Sequence, residues 1–372
     1  MQVHAQSTDR WSDLQLDLVR GALPTEIELL GSQAVDNPYA CLLHARAYSA
    51  ELIPRLHHLV VRADERLLGI LSFHQHGTRL VVVNGCIALP ADVLDRCVLR
   101  LYAEYPSATR VEFRKLRDAD APSGSGHRVL SRRVATGMHN YVLRLPATTD
   151  EYQRIFVKKT RQKLRSYERR LSNECENLEF AILEATEIDS SVVEAIVQLN
   201  HKRMAAKGTH SLIDDAYTRK LLALCRTCGV VCVYRTGARI LAGTIGTRVG
   251  LGWSLEVTAH DCDFDHLSLG FLCLFRTVET AIRSRATTVN FLWGDNPYKL
   301  RFGAQPIPLC DRHFYRNRIA WLSAFDAIVP ALRESARRRV RAVKRWLLDG
   351  RFGPVARFVF RRPRRSAVAT RH

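Results

Sequence analysis

The feature that most limits the possible folds is a pattern of strands that occurs twice along the 372 residues. Residues 59–73 and 231–247 each read as two apolar strands around one polar turn. Each pair is followed by a third strand, a helix and a fourth strand. Because a sheet must pack its apolar face against another layer, this repeat predicts an α/β (α+β) fold. We expect two units in tandem, each a mixed twisted sheet flanked by helices.

The repeat and the charge distribution together predict the domain organisation. We expect an N-terminal unit at 1–148, a second unit at 149–322 and a basic helical tail at 323–372. From Ala331 onwards there are fourteen Lys and Arg against two acids, so residues 331–372 carry +12 of the net charge of +19. Such a basic segment favours an anionic partner, either a membrane surface or, as the weaker expectation, nucleic acid.

The predicted tail helix, 331–348, has a narrow apolar stripe flanked by arginines. A helix of this kind binds flat on an anionic membrane, and packing on the body of the protein is an equal alternative. The chain has no run of about 18 apolar residues and its first residues lack a secretory pattern. We therefore expect a cytoplasmic protein, peripheral at the inner face of the membrane if the tail binds there.

Ten cysteines are scattered along the chain, and only Cys225-x-x-Cys228 has the spacing of a metal site. A zinc site would require a second cysteine pair or a histidine pair at matching spacing. We expect free thiols and no metal.

Residues 288–304 form the most informative stretch. Residues 288–293 read as a short buried strand that stops at a cluster of turn formers, and Asp295, Tyr298 and Lys299 follow at once. A rigid strand would thus deliver a carboxylate, a phenol and an ammonium to one loop, where functional groups are often found. An ordinary solvated turn is the alternative.

Two further stretches attract attention. Residues 151–172 read as one long basic helix that includes Arg161 and Lys163, although such charge runs are commonly solvated faces. Another helix begins near Ser268, which has a residue type that caps helices, and Gly270 permits close approach of the backbone to a ligand.

Three patches of this sequence resemble a known family. GDNPYKLRFGA, residues 294–304, resembles the G-x-x-x-YK-x-x-(F/W) signature of CelD-like (BioF2-like) acetyltransferases from cellulose biosynthesis. These are a branch of the GNAT acyltransferases and are related to Fem-type aminoacyl transferases. The basic helix resembles the family's K-x-R-x-x-(L/I)-R-x-x-x-R-x-L helix. Asp261, seven residues before Ser268-Leu269-Gly270, matches an Asp before the family's S-P-G, whereas the family's strand Asp is Asn290 here.

The resemblance, which covers residues 156–304, implies tandem GNAT-like domains with acyl-CoA, most simply acetyl-CoA, between two splayed strands. It implies that the pyrophosphate rests on backbone N–H groups of Ser268, Leu269, Gly270 and Phe271. It also implies three catalytic residues: Lys299 beside the oxyanion, Tyr298 as the acid for the thiolate, and Asp261. We expect Asp295, Arg161 and Lys163 to contact substrate.

The function that follows is transfer of an acyl group from acyl-CoA to an amine or hydroxyl of a polar metabolite or an envelope or polysaccharide precursor. One alternative is a Fem-like transferase that uses aminoacyl-tRNA as donor. The other is a non-catalytic nucleic-acid-binding protein that uses the basic helix and tail. The sequence leaves open which way Glu256, on the third strand of the second unit, faces.

Overall fold

The computed structural model describes residues 13–21, 23–24, 56–63, 66–84, 89–117 and 129–324. From residue 325 onwards the predicted basic tail lies outside these described residues.

The twelve strands found in these ranges form a single sheet, in the order β1-β2-β3-β4-β5-β12-β6-β11-β10-β9-β8-β7. Their bounds are β1 Gln15–Arg20, β2 His57–Ala63, β3 Arg66–His76, β4 Arg79–Val82, β5 Arg110–Arg117, β6 Leu130–Arg144, β7 Leu178–Glu184, β8 Gly229–Thr236, β9 Arg239–Val249, β10 Gly252–His260, β11 Thr288–Trp293 and β12 Gln305–Tyr315.

The α-helices of the described residues flank this sheet. Their bounds are α1 Ala91–Glu104, α2 Thr149–Ile155, α3 Lys158–Glu174, α4 Ser190–Ala206, α5 Asp215–Cys228, α6 Leu269–Arg283, α7 Pro297–Arg301 and α8 Arg318–Ser323. Short 3-10 helices cover Ala185–Glu187 and Cys262–Leu267. None of the helices in these ranges is both long and apolar enough to cross a membrane.

The predicted duplication is visible in the sheet. In the first half β4 pairs with β5 in parallel, and in the second half β10 pairs with β11 in parallel, whereas the other ladders are antiparallel. A helix connects each parallel pair, α1 in the first half and α6 in the second. Both halves therefore have the strand-strand-strand-helix-strand order that the sequence predicts.

The last strand of each half is exchanged. β6 follows β5 in the chain but pairs with β11, and β12 follows β11 but pairs with β5. The two exchanged strands also pair with each other, from Gln305 opposite Val142 to Tyr315 opposite Leu130. The expected bounds put residues 140–146 in the first unit, yet both strands that pair with them, β11 and β12, belong to the second. The domain bounds 1–148 and 149–322 stay a prediction.

Successive side chains of β8 pack against different helices on the two faces of the sheet. Cys232 and Tyr234 pack in one core cluster with side chains of α3 and α6, whereas Val231 and Val233 pack in another with side chains of α4 and α5. Side chains of a strand point to opposite faces in turn, so these helix pairs cover opposite faces. A third cluster lies between α1 and the strands of the first half.

The long helix predicted at 151–172 is wrong, because the chain breaks between α2 and α3. Phe156 is extended, with φ −86° and ψ 139°, and its side chain is buried. Its ring packs at 6.3 Å from that of Phe271 and 6.1 Å from that of Phe302. Burying an aromatic ring contributes about 1.5–3 kcal/mol, enough to favour this packing over a continuous helix.

Two strands do not match the sequence prediction. β1 precedes the repeated strand pattern, which begins at residue 59, and β12, which contains Pro306 and Pro308, was not predicted. Proline has no N–H for a ladder and is unusual in a central strand. Here the register between β12 and β6 shifts between Pro308 and Cys310, an irregularity that accommodates the prolines.

Residue types that favour helix ends lie at the ends of α4 and α5. The Asp189 carboxylate caps α4 by accepting a hydrogen bond of 2.7 Å from the N–H of Ser191. Gly208, with φ +68°, follows the end of α4, and Gly229 ends α5. The cysteines of the described ranges are free thiols, and seven of the eight are buried.

Candidate active site

β10 and β11 separate within the sheet. Gly252, Trp253 and Ser254 of β10 pair with the start of β11, and the ladder between the two strands ends there. The register of β10 against β9 shifts between Leu255 and Val257, which leaves Glu256 at a bulge. A bulge bends its strand and re-aims the side chains around it. The two parallel strands therefore open into a cleft.

The other side of the cleft also has an irregular backbone. Leu292 has φ +56°, a conformation that costs a non-glycine residue about 1–3 kcal/mol. Its N–H donates a 2.9 Å hydrogen bond to Oδ1 of the buried Asn290. Asn290, where the related family has an Asp, thus holds the bent end of β11 in place.

A pocket of about 250 Å³ lies in the opening. Its walls come from β10, β11, α5 and α7, through Tyr217, Leu255, Glu256, Thr258, Phe291, Leu292, Trp293, Asn296, Tyr298 and Lys299. The structure thus brings the predicted Tyr298 and Lys299 to one pocket. It also brings Glu256 there, where the Tyr217 hydroxyl donates a 3.4 Å hydrogen bond to Oε2.

Lys299 is a buried lysine, with 2% of its surface exposed. Its Nζ donates to the backbone carbonyls of Leu292 at 3.0 Å and Trp293 at 2.9 Å. Burial lowers the pKa of Lys299 to about 8, against a weaker opposing effect of Asp295. An ammonium has three N–H groups, so one remains besides those given to the two carbonyls. Lys299 can therefore hold the bent strand and still donate to a group in the pocket.

Tyr298, beside Lys299, is suited to donate a proton. Burial raises the pKa of its phenol. The phenol therefore keeps its proton at neutral pH, as an acid for a leaving thiolate must.

The residues that carry this geometry also match a known family. The family model of the acetyltransferase (GNAT) domain matches residues 158–300. The protein carries a GNAT domain. The matched range begins at α3 and ends in α7, so it contains the cleft with Glu256, Tyr298 and Lys299. A search of curated proteins finds no match.

Solved structures are similar to both halves of this chain, and FemX shares its fold. FemX matches with a TM-score of 0.58 at 10% identity and covers 82% of this chain and 99% of its own. The C-terminal DUF2156 domain of an Agrobacterium fabrum protein named as a lysylphosphatidylglycerol synthetase matches with a TM-score of 0.49 at 13% identity, over 82% and 96%. A tandem GNAT protein from the clavulanic acid pathway matches at 0.40 and 13%, over 80% and 98%. The predicted fold class, tandem GNAT-like α/β, is confirmed.

Asp261 of the GNAT domain lies outside the pocket lining. Its carboxylate accepts a 2.7 Å hydrogen bond from Nη2 of Arg239 and a 3.2 Å hydrogen bond from the N–H of Asp263. These contacts begin the 3-10 helix at Cys262–Leu267. They give Asp261 a structural role, and its predicted catalytic role stays a prediction.

The start of α6 agrees with the prediction in position but not in detail. Ser268 is the N-cap residue, as expected. It lies in the left-handed region, with φ 52° and ψ 41°, and its side chain makes no capping hydrogen bond. A Cβ at Gly270 would lie 2.4 Å from Nδ1 of His260, so close packing already requires glycine there. That the N–H groups of residues 268–271 bind phosphate stays a prediction.

Three acidic side chains precede the start of α6, where the pyrophosphate was expected to bind. Asp261, Asp263 and Asp265 all lie in or beside the 3-10 helix that precedes α6. Arg239 pairs with Asp261, and Nε2 of His260 lies 2.7 Å from Oδ1 of Asp265. Burial lowers the pKa of His260, which reduces the positive charge available there.

The remaining predicted substrate contacts lie apart from the pocket lining. Arg161 lines a separate cavity of about 130 Å³ between α3 and α6, and Lys163 is exposed on α3. Asp295 accepts a 3.1 Å hydrogen bond from the Tyr141 hydroxyl, whose ring centroid lies 5.2 Å from Nζ of Lys299. Asp295 is therefore placed to affect Lys299, and substrate binding by all three stays a prediction.

The cysteine pair of the GNAT domain lies within α5. Cys225 and Cys228 are both buried, and burial raises the pKa of Cys225 to about 12. Across residues 13–324, excluding the gaps that the structure does not describe, no group of three His, Cys, Asp or Glu is arranged to hold a metal.

Proposed function

We propose that this protein is an acyltransferase that moves an acyl group, in the simplest case acetyl from acetyl-CoA, onto an acceptor in the pocket between β10 and β11. The observation that carries the proposal is the position of Lys299. It places a buried ammonium on the wall of a pocket, at the point where two parallel strands separate. The description of the matched family, acetyltransferase, supports the same reaction class.

The pocket side chains suit the steps of acyl transfer. The acceptor attacks the acyl carbonyl carbon, and the remaining N–H of Lys299 stabilises the oxyanion that forms. Glu256 takes the proton that the acceptor loses. The carbon–sulfur bond then breaks, and Tyr298 gives its proton to the departing thiolate. A carboxylate on the wall favours an amine acceptor over a hydroxyl, because it attracts the ammonium form.

We propose a polar metabolite or an envelope or polysaccharide precursor as the acceptor class, in the cytoplasm beside the inner face of the membrane. The polar wall of the pocket, with Glu256, Thr258 and Asn296, supports a polar acceptor. Binding of the basic tail to an anionic membrane would bring the enzyme close to envelope precursors.

A Fem-like transferase is the second candidate, and one observation favours it. A CoA pyrophosphate at the start of α6 would meet the carboxylates of Asp261, Asp263 and Asp265. An aminoacyl-tRNA needs the pocket only for the reacting carbonyl of its aminoacyl ester, and the phosphates of the tRNA would contact the protein elsewhere. The two candidates therefore differ in the donor and share the pocket.

Ligand analysis and titration separate the candidates. Mass spectrometry of ligands that the purified protein carries, with calorimetric titration of acetyl-CoA, tests the first donor. Titration of aminoacyl-tRNA tests the second. Binding of acetyl-CoA without aminoacyl-tRNA supports the main proposal, and the reverse result supports the Fem-like candidate.

Measuring acyl transfer to the acceptor by variants of the protein tests the roles assigned to the pocket residues. Lys299→Met is expected to lower turnover by about 10²–10³, because one oxyanion donor is lost, while donor binding persists. Lys202→Met, on an exposed position of α4, is the matched control. Unchanged turnover in Lys299→Met would contradict the assignment. Absence of transfer by the wild-type protein with either donor would instead favour the non-catalytic, nucleic-acid-binding alternative.

A further inference from the structure

The break between α2 and α3 exposes two apolar side chains. Phe156 and Val157 are both extended, and the Phe156 ring is buried among other aromatic rings. Because side chains alternate along extended backbone, Val157 points away from the Phe156 ring, and Ile155 is the last residue of α2. Their exposed fractions are 51% and 70%. The break thus fixes two aliphatic side chains in solvent.

A third exposed apolar side chain comes from the helix that carries the pocket residues. Leu300 of α7 is 54% exposed. A Cβ at Gly303 would lie 3.6 Å from Cγ2 of Ile155, so Ile155 lies against the end of α7. Ile155, Val157 and Leu300 therefore belong to one part of the surface, beside Tyr298 and Lys299 on α7.

The start of α3 goes against the usual preferences of helices. Its N-cap is Val157, which cannot accept a capping hydrogen bond, and its first turn has no acid but contains Lys158 and Lys159. Helix starts favour Ser, Thr, Asp or Asn at the cap and acids in the first turn. α2 follows the rule, because the Thr148 side chain accepts from Glu151 N–H and two acids follow. Residues that break local rules are expected at functional surfaces.

The outward face of α3 is strongly basic. Leu164 and Leu171 point into the core, and six cations are exposed around the other faces: Lys158, Lys159, Lys163, Arg165, Arg169 and Arg170. The one exposed acid of this helix, Glu174 at its end, pairs with Arg170 and with His266 of the 3-10 helix. Arg301 of α7 adds another exposed cation.

We propose that this surface, made of Ile155, Val157, Leu300 and the exposed cations of α3, binds the surface of an anionic lipid bilayer. Aliphatic side chains among cations suit the boundary between head groups and acyl chains, where both kinds of contact are satisfied. A polynucleotide would use the cations but leave the apolar side chains in water. The binding does not depend on the proposed transferase activity, although it would place α7 and its pocket residues close to lipid head groups.

Vesicle sedimentation of the full chain tests the proposal. The probes are vesicles of phosphatidylcholine alone and of phosphatidylcholine mixed with phosphatidylglycerol. Lys158→Gln with Lys159→Gln is expected to weaken binding to the anionic vesicles by about fivefold for each lysine removed. Val157→Ser is expected to weaken it by about tenfold, through loss of the inserted side chain. Added salt should weaken the cation contribution.

Matched controls lie on the opposite face of the sheet. Leu212→Ser removes an exposed aliphatic side chain, 95% exposed, between α4 and α5. Lys202→Gln with Arg226→Gln removes two exposed cations of α4 and α5. Neither control should change vesicle binding. Val157→Ser should keep or raise the Tm, because serine is a better cap than valine, so its loss of binding cannot come from misfolding.

Three results would overturn the proposal. The first is unchanged binding to anionic vesicles in both surface variants. The second is an equal loss of binding in the surface variants and their controls. The third is loss of affinity for tRNA in the surface variants with vesicle binding retained, which would assign the surface to nucleic acid.

Discussion

Replacing the buried Lys299 by methionine should change how the stability of the protein depends on pH. Methionine has a similar length and removes only the titrating group and its hydrogen bonds to the carbonyls of Leu292 and Trp293. In the folded chain the pKa of Lys299 is lowered by burial from 10.5 to about 8. The unfolded chain keeps the ordinary value, so the two states bind different numbers of protons between these limits.

The sign and size of the effect follow from this difference. Between about pH 8 and 10.5 the unfolded chain holds a proton that the folded chain has released, so stability rises with pH. At roughly 1.4 kcal/mol for each pKa unit, the full effect is about 3 kcal/mol. About 2 kcal/mol of this stabilisation develops between about pH 7.5 and 10, as proton linkage requires. The wild-type protein should gain this much relative to Lys299→Met over that range.

Urea unfolding of both proteins at several pH values measures the difference directly. Subtraction of the two curves removes the contribution of the other groups that titrate in this range. Lys202→Met, at an exposed position of α4, is the matched control for loss of a lysine side chain. A constant difference between wild type and Lys299→Met across the range would refute the account of Lys299 as a lysine desolvated by burial.

Three further predictions concern the site and its surroundings. Glu256→Gln should lower the rate of acyl transfer by about 10²–10⁴ while donor binding is kept, as measured by single-turnover kinetics and calorimetry, and an unchanged rate would remove Glu256 from the proposed mechanism. Gly270→Ala should destabilise the fold by about 1–3 kcal/mol in thermal unfolding, because its Cβ would lie 2.4 Å from Nδ1 of His260, and His260→Ala should relieve most of that loss. Asp261→Asn should cost about 0.2–1 kcal/mol, because its partner Arg239 is well exposed, and should leave turnover within a fewfold; a loss of about a hundredfold or more would instead support the predicted catalytic role.

Signals close together in the sequence predicted much of the fold. The alternation of apolar residues located the paired strands of both halves, and Asp189, Gly208 and Gly229 are residue types that mark helix ends. The break at Phe156 could not be predicted, because no proline or glycine marks it and its cause is contact with Phe271 and Phe302, over a hundred residues away. β12 could not be predicted for a related reason. Its two prolines disfavour a strand in the local sequence, whereas pairing with a distant strand forms one.

The candidate site shows the same division. Tyr298 and Lys299 follow a buried strand and a turn, and that local pattern was enough to bring them to attention. The orientation of Glu256 depends on a bulge between β10 and β9, which no local pattern reveals. The reason for Gly270 is the nearby His260 side chain, whereas sequence alone suggested room for a phosphate. Side chains on one short segment were thus predicted, and contacts between segments were not.

The exchange of β6 and β12 has a consequence for synthesis on the ribosome. β5, at residues 110–117, has β12, at 305–315, as its neighbour on one side, so that edge stays open until nearly two hundred further residues have been made. Pairings over such distances form slowly, and open strand edges promote association with other chains. The sheet of the first half of the nascent protein is therefore completed only when β12 of the second half is made. A pause in translation before residue 305 would leave exposed the edges of β5 and β6 that pair with β12.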